Sequence, residues 1–354
     1  MADVILMAVP VFFALIGIEL WIDIRRGNKT YRLADALCSL SIGSLSQITG
    51  FYTKVVMVVL YTLAWRHLAL FDLKADDWRV WVGAELAYDF CYYWYHRMGH
   101  EVNILWAAHV VHHSSEEYNL TTALRQTSTG FIFGWLFYLP MAVIGIPPLV
   151  FIGAGLINLL YQYWVHTRLI PKLGWFDYVF CSPSNHRVHH GQNDYCIDRN
   201  YGAVLMLWDH LFGTFAAERD EKEEPIVYGI RGQLGTHDPL MANLHVYRDL
   251  WRDMMLADNW KDRLLVPLKH PGWRPAAAAQ KAPKPDWSLS AFRPYLPGYE
   301  QIGRVAAFVC FTMLLFAAVA WLGMAPTGAD MPILAAALAV TLGFWLLGRK
   351  LSAH

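Results

Sequence analysis

Apolar stretches long enough to enter a membrane alternate along this chain with short polar segments, and their order predicts the elements. Residues 4–22 form an apolar run ending in Arg25-Arg26-Gly27-Asn28-Lys29. It lacks a small-residue cleavage site after a short apolar core, so it reads as a retained helix whose basic end faces the cytoplasm. Residues 33–70 are apolar and aromatic enough for two crossings, with a break expected around Gln47 to Phe51. A polar loop from Asp72 to Arg79 precedes a helix that carries Glu85, Asp89, His96 and His100. Two apolar arms, 130–143 and 149–164, meet at Ile144-Gly-Ile-Pro-Pro148, which turns a chain and cannot continue a helix. Each arm falls short of the roughly twenty residues of a full span, so the pair predicts a tilted or re-entrant hairpin. Either form returns both ends to one face and brings His113 and His166 to the same side. A mostly polar stretch, 167–300, follows, and two apolar helices, 303–322 and 332–348, end at Arg349-Lys350. The expected class is all-α, a polytopic integral membrane helical bundle. Its divisions are N-terminal transmembrane helices (1–75), a catalytic domain (76–275), a linker (276–300) and C-terminal transmembrane helices (301–354).

Composition agrees with a membrane setting. Mean hydropathy is +0.27 and charged residues make up 16%, against about 25% in soluble domains. Lys+Arg and Asp+Glu are 29 each, so no basic field favours nucleic acid as a partner. The five cysteines lie in no CxxC or CxxH arrangement and read as reduced core residues. The charge run from Glu218 to Glu224 reads as a solvated loop.

Candidate chemistry enters with the histidines. Nine fall into four groups: His96 and His100; His109, His112 and His113; His166; and His186, His189 and His190. Positions i, i+3 and i+4 share a helical face, so each HxxHH triplet aims its imidazoles at one spot. Massed imidazoles without partners would carry an uncompensated desolvation cost, which points to metal. Nine ligands exceed the four of a structural zinc ion, whereas two ions of five or six coordination use roughly ten. A dinuclear site at the cytoplasmic face is therefore expected. The other six histidines (His67, His210, His237, His245, His270, His354) are scattered and carry no such reading. Asp89 shares a helical stripe with Glu85, His96 and His100. It either accepts an N–H from a metal-bound imidazole or forms a buried salt bridge with an arginine such as Arg125 or Arg187. The string Tyr92 to Tyr95 reads as interfacial packing.

Imidazole ligands alone suit Fe, Zn, Cu or Ni. A dinuclear centre facing a membrane suits dioxygen and a lipid, and iron performs that chemistry where zinc cannot change oxidation state. Hydrolysis is disfavoured because His96-Arg-Met-Gly-His100 lacks the glutamate of HExxH. A transporter would place polar residues within its spans, whereas these histidines sit at span ends.

Longer strings carry a family resemblance. They are His100 to His109 (HEVNILWAAH), His112 to Gln126 (HHSSEEYNLTTALRQ), His186 to Gly191 (HRVHHG) and Asn200 to Phe215 (NYGAVLMLWDHLFGTF). With the histidine boxes they resemble the alkylglycerol monooxygenase branch of the fatty acid hydroxylase/sterol desaturase superfamily, over about residues 80–275. The resemblance implies two iron ions, with zinc the alternative as isolated, held by His96, His100, His109, His112, His113, His166, His186, His189 and His190. It implies hydroxylation of the ether-linked carbon of a glycerol lipid, giving a hemiacetal that falls apart to aldehyde and glycerol. Electrons would come from tetrahydrobiopterin or another donor. Glu101 is a candidate pterin or proton-transfer contact from its position next to His100. Some members carry a further histidine where this chain has Gln162. That side chain would ligate weakly, hold a water or leave a position open for dioxygen. The expected partners are a lipid drawn from the bilayer, dioxygen and an electron donor, in a bacterial inner membrane or the endoplasmic reticulum. The alternatives are hydroxylation or desaturation of a sterol, carotenoid, fatty acyl chain or aminolipid, and a metal-binding membrane protein without turnover.

Overall fold

In hydrocarbon a backbone must satisfy its own hydrogen bonds, and the apolar segments do so as helices. A computed structural model describes residues 2–297, 303–324 and 331–352. The helices run α1 (Ala2–Arg26), α2 (Leu33–Leu68), α3 (Trp78–Glu101), α4 (Asn103–His113) and the single turn α5 (Leu120–Ala123). The hairpin arms α6 (Phe131–Ile144) and α7 (Pro148–Tyr161) come next, then the short α8 (Trp175–Val179), α9 (Pro183–His189) and α10 (Leu207–Phe212). A polar layer of α11 (Pro239–Leu256), α12 (Trp260–Leu265) and α13 (Ala276–Lys281) precedes α14 (Arg304–Met324) and α15 (Met331–Ser352). Helices α1, α2, α14 and α15 are long and apolar enough to cross a bilayer, and the chain is an integral membrane protein.

The break expected around Gln47 to Phe51 is absent. α2 is one helix of 36 residues, about 54 Å long at 1.5 Å per residue and longer than the hydrocarbon core is thick. Its hydroxyl residues bond back into their own helix: Ser41 to the Leu37 carbonyl, Ser44 to Leu40 and Thr49 to Leu45, at 2.7 to 3.0 Å. Gly43 lies where the Leu124 carbonyl oxygen comes within 2.2 Å of any Cβ placed there, so the loop after α5 rests directly on α2.

The hairpin forms as expected. Gly145 ends α6 at φ +110°, a conformation that favours glycine, and Pro148 opens α7 at its first turn. The turn is stitched to the far end of α2: Trp65 Nε1 donates to the Gly145 carbonyl (3.1 Å) and the Tyr61 hydroxyl to that of Ile146 (2.9 Å). Helix α3 packs against both arms, with the Tyr88 ring 4.6 Å from Tyr138 on α6 and 5.9 Å from Phe151 on α7.

At the other end of the bundle the polar domain is tied to the spans. Glu19 of α1 accepts from Leu120 N (2.8 Å) and from the hydroxyls of Tyr31 and Thr167. Ser352 of α15 accepts from His237 N at 2.7 Å, and Trp345 Nε1 donates to Asp238 at 3.0 Å. The stretch 276–300, expected as a linker, begins with α13, packed on α11. Arg274 fastens it by donating to Asp253 (2.6 and 2.7 Å) and to the Ala278 and Ala282 carbonyls (3.2 and 2.8 Å).

Candidate metal centre

Three helices and one segment beyond a fourth present the histidines. α3 supplies His96 and His100 from its last two turns. It breaks at Val102, where the Lys269 and Pro267 carbonyls accept Asn103 N and Ile104 N (2.9 Å each), so that α4 starts in a new direction. α4 supplies His109, His112 and His113. α9 is only seven residues long, yet it is capped by Ser182 and Asn185 acting reciprocally, with Pro183 in its first turn. It supplies His186 and His189, with His190 as its C-cap. His166 lies just beyond α7.

These side chains fall into two groups, one of His96, His100, His109, His113 and His189, the other of His112, His166, His186 and His190. Within each, one nitrogen per residue lies within 4.8 Å of every other. The groups touch: the His113 and His190 rings stack 4.3 Å apart. All nine sequence-derived metal candidates are thus brought together. Among the described residues, the scattered histidines lie outside both groups. His210, for example, is stacked between Tyr178 and Phe215.

Backbone carbonyls orient four of the rings. His96 Nδ1 faces the Tyr201 carbonyl (2.9 Å), His112 that of Arg125 (3.0 Å), His166 that of Gln162 (2.8 Å) and His189 that of Arg199 (2.9 Å). A carbonyl only accepts, so each of these Nδ1 atoms carries the proton and leaves Nε2 bare. Burial pushes the pKa of His112 down to about 4, and those of His189 and His190 well below the usual range, which keeps the imidazoles neutral. His112 Nε2 and His166 Nε2 nevertheless face each other at 3.2 Å. Two lone pairs at that distance repel unless a cation lies between them. Contacts of 3.0 to 3.2 Å recur for His96–His109, His109–His113, His166–His186 and His186–His190. Ligands about 2.1 Å from one ion are about 3.0 Å apart when cis in an octahedron and about 3.4 Å apart in a tetrahedron. The spacing fits ions of higher coordination than structural zinc. His100 Nε2 and His189 Nε2 are buried without a hydrogen-bond partner, as a ligand nitrogen would be.

The other site candidates lie differently. Asp89 bonds neither an imidazole nor an arginine. Its carboxylate accepts from Val204 N (2.9 Å), Leu205 N (3.2 Å) and Trp208 Nε1 (3.0 Å), holding the loop that follows Tyr201. Gln162 has both amide atoms engaged, Oε1 by the Tyr92 hydroxyl (2.7 Å) and Nε2 by Asn158 Oδ1 (2.7 Å), and reaches the centre through its carbonyl on His166. Glu101 pairs with Arg97 at 2.9 Å. Arg187 pairs with Glu218, so the expected solvated run has one end built into the site: the guanidinium binds the carboxylate at 2.7 and 2.8 Å and also donates to the Thr167 and Ile170 carbonyls. Buried Arg125 donates to the Val111 carbonyl (2.8 Å) and to Ser114 and Ser39, joining α4 to α2. Sequence reasoning missed Asp209, which accepts from Tyr201 N (2.8 Å), Gly202 N (2.7 Å) and the Thr214 hydroxyl (2.6 Å).

Residues 81–214 match the fatty acid hydroxylase family. Over 322 residues the chain is 39% identical to the alkylglycerol monooxygenase of Homo sapiens, an alignment covering 88% of this chain and 70% of that protein. The chain belongs to the alkylglycerol monooxygenase family. A second family member, from Xenopus tropicalis, is 40% identical over 84% of this chain and 64% of its own length. The chain thus spans about two thirds of the length of these two alkylglycerol monooxygenases. The ornithine lipid hydroxylase of Rhizobium tropici is 31% identical over 40% of this chain and 44% of its own. No solved structure matches.

Tyr201, in the Asn200–Phe215 string, packs its ring 5.3 to 6.0 Å from those of His96, His100 and His189, and its buried hydroxyl has no partner among the described residues. An unpaired buried hydroxyl costs about 1–3 kcal/mol, a cost that a bound oxygen atom of substrate or dioxygen would relieve. Tyr201→Phe is expected to keep its metal and thermal stability while turnover per metal falls about tenfold. Unchanged turnover per metal would remove the hydroxyl from the reaction.

Proposed function

We propose that the chain is a membrane di-iron monooxygenase that cleaves the ether bond of alkylglycerols. The observation that carries this reading is the pair of all-histidine groups whose bare nitrogens face one another, in a chain 39% identical to a protein named for that activity. Bound iron would supply activation of dioxygen at the expense of two external electrons. In balance, the ether CH₂, dioxygen, two electrons and two protons give a hemiacetal carbon and one water. The hemiacetal then collapses to a fatty aldehyde and a glycerol hydroxyl.

The nine histidines would be the ligands, five on one ion and four on the other. The Tyr201, Arg125, Gln162 and Arg199 carbonyls fix the tautomers of His96, His112, His166 and His189. Asp89, Asp209 and Glu218 act through the loops they hold. Gln162 is a positioning residue, its amide committed to Tyr92 and Asn158. Glu101, half-buried beside His100, is the proposed contact for the electron donor, tetrahydrobiopterin or another. The lipid comes from the bilayer. The proposed face is cytoplasmic, a reading supported by the positive-inside rule: the basic end of α1 lies near Arg187 and that of α15 is joined to His237 through Ser352.

Isotopic dioxygen tests the reaction. With a 1-O-alkylglycerol and a reductant, one labelled oxygen is expected in the aldehyde, trapped by reduction to the alcohol before it exchanges with water. Unlabelled aldehyde would refute monooxygenation at the ether carbon, and a stable hydroxyl on another lipid with alkylglycerols inert would refute ether cleavage.

A further inference from the structure

Two of the shortest helices carry exposed apolar side chains that the metal centre does not use. α8 reads Trp-Phe-Asp-Tyr-Val and α10 reads Leu-Trp-Asp-His-Leu-Phe. They are knit into one unit: Met206 N donates to the Val179 carbonyl (3.0 Å), Cys181 N to that of Val204 (2.9 Å), and the His210 ring lies 4.0 Å from Tyr178. From this unit Trp175, Tyr178, Val179, Leu207 and Leu211 point outward, Trp175 at 73% and Leu211 at 65% exposure. Water is a poor environment for five such side chains on so small a unit.

We propose that α8 and α10 form a wedge lying in the bilayer interface, with these side chains among the lipid chains. The argument is continuity. On α3 the outward residues Val82, Leu86 and Phe90 form an exposed apolar stripe at i, i+4 and i+8. Phe90 packs against Trp208 of α10, ring to ring at 4.9 Å, so the stripe passes from α3 onto the wedge. It ends within two turns, where Arg97 and Glu101 pair. On the other flank, α7 exposes Ile157 and Leu160, and Trp164 beyond it meets Phe176 of α8 at 6.1 Å. The wedge thus fills the corner between two helices whose outer faces are already apolar. Its composition suits that depth: tryptophan and tyrosine favour the headgroup boundary, and Lys172, exposed beside it, suits lipid phosphates.

The wedge is joined to the metal centre. Asp209 of α10 holds Tyr201 N and Gly202 N, and the Tyr201 carbonyl receives the Nδ1–H of His96. Seating the wedge in lipid therefore fixes the loop that orients one imidazole. This inference rests on the membrane setting and is independent of the reaction assigned above.

Spin labels test it in the full chain, reconstituted in vesicles of phosphatidylcholine and phosphatidylglycerol. The background is Cys310→Ser, because the other four cysteines are buried. Labels go on Trp175→Cys and Leu211→Cys, with Ile157→Cys as the lipid-facing reference and Lys222→Cys as the aqueous one. Labels at 175 and 211 are expected to collide with oxygen as often as at 157, and with a water-soluble nickel chelate at least fivefold less often than at 222. Nickel access equal to that at 222 would overturn the wedge. Shielding from both reagents would also overturn it and point to a second protein or a second copy. The unsubstituted protein gives an independent reading with a diazirine-bearing acyl chain. Photo-adducts are expected on the peptides carrying 175–179 and 207–211, and adducts on Ile157 without them would refute the proposal.

Discussion

His112→Ala and His189→Ala are each expected to abolish turnover, although the two residues belong to different groups of the centre. Each removes one imidazole whose tautomer is fixed by a backbone carbonyl and whose Nε2 points into its group. Losing a partner that merely orients a ligand already costs about 10- to 100-fold in metal affinity or activity, so losing the ligand should cost at least a hundredfold. Metal content should fall below two ions per chain in both variants while the protein still inserts into the membrane. The double variant should be no worse than either single one, since residues that act as a unit are not additive. Metal analysis of the purified proteins, with turnover measured beside it, decides the matter. Two metals per chain with ordinary turnover in either variant would exclude that histidine as a ligand.

The second large effect is expected at a carboxylate that belongs to neither histidine group. Glu218→Ala leaves the Arg187 guanidinium, 8% exposed, without its carboxylate and with only the Thr167 and Ile170 carbonyls. Breaking a buried ion pair from one side costs about 3–5 kcal/mol. Arg187 sits on α9 between His186 and His189, so the damage should reach both groups of the centre. A lower unfolding temperature together with partial loss of metal is expected, and Glu218→Gln, which keeps an acceptor for the guanidinium, should lose less. A Glu218→Ala protein with wild-type melting and full metal content would show that the pair is dispensable.

The nine histidines were legible in the sequence because helical spacing decides which side chains share a face, and three of the four groups carry that spacing. The hairpin was legible because Gly145 and the two prolines leave the chain little else to do. The acceptors that orient the rings were not, since any residue offers a carbonyl and nothing in the identity of Tyr201 or Arg199 marks theirs. Asp89 was recognised as an acid that needs a partner, but the partner was misassigned. The amides it holds lie 115 residues away along the chain, in a loop whose return no local pattern reveals. The break expected in α2 did not form: one helix runs through Gln47 to Phe51, and Thr49 there returns its hydroxyl to the Leu45 carbonyl.

The four orienting carbonyls also bear on how the protein matures. They come from Arg125, Gln162, Arg199 and Tyr201, three stretches that meet only after the hairpin has inserted and the chain beyond it has doubled back. A nascent chain emerging from the ribosome would carry all nine clustered imidazoles by residue 190 while still lacking the groups that aim two of them. The rings of His96 and His189 are thereby expected to take their final orientation only late in biogenesis, once those stretches are assembled.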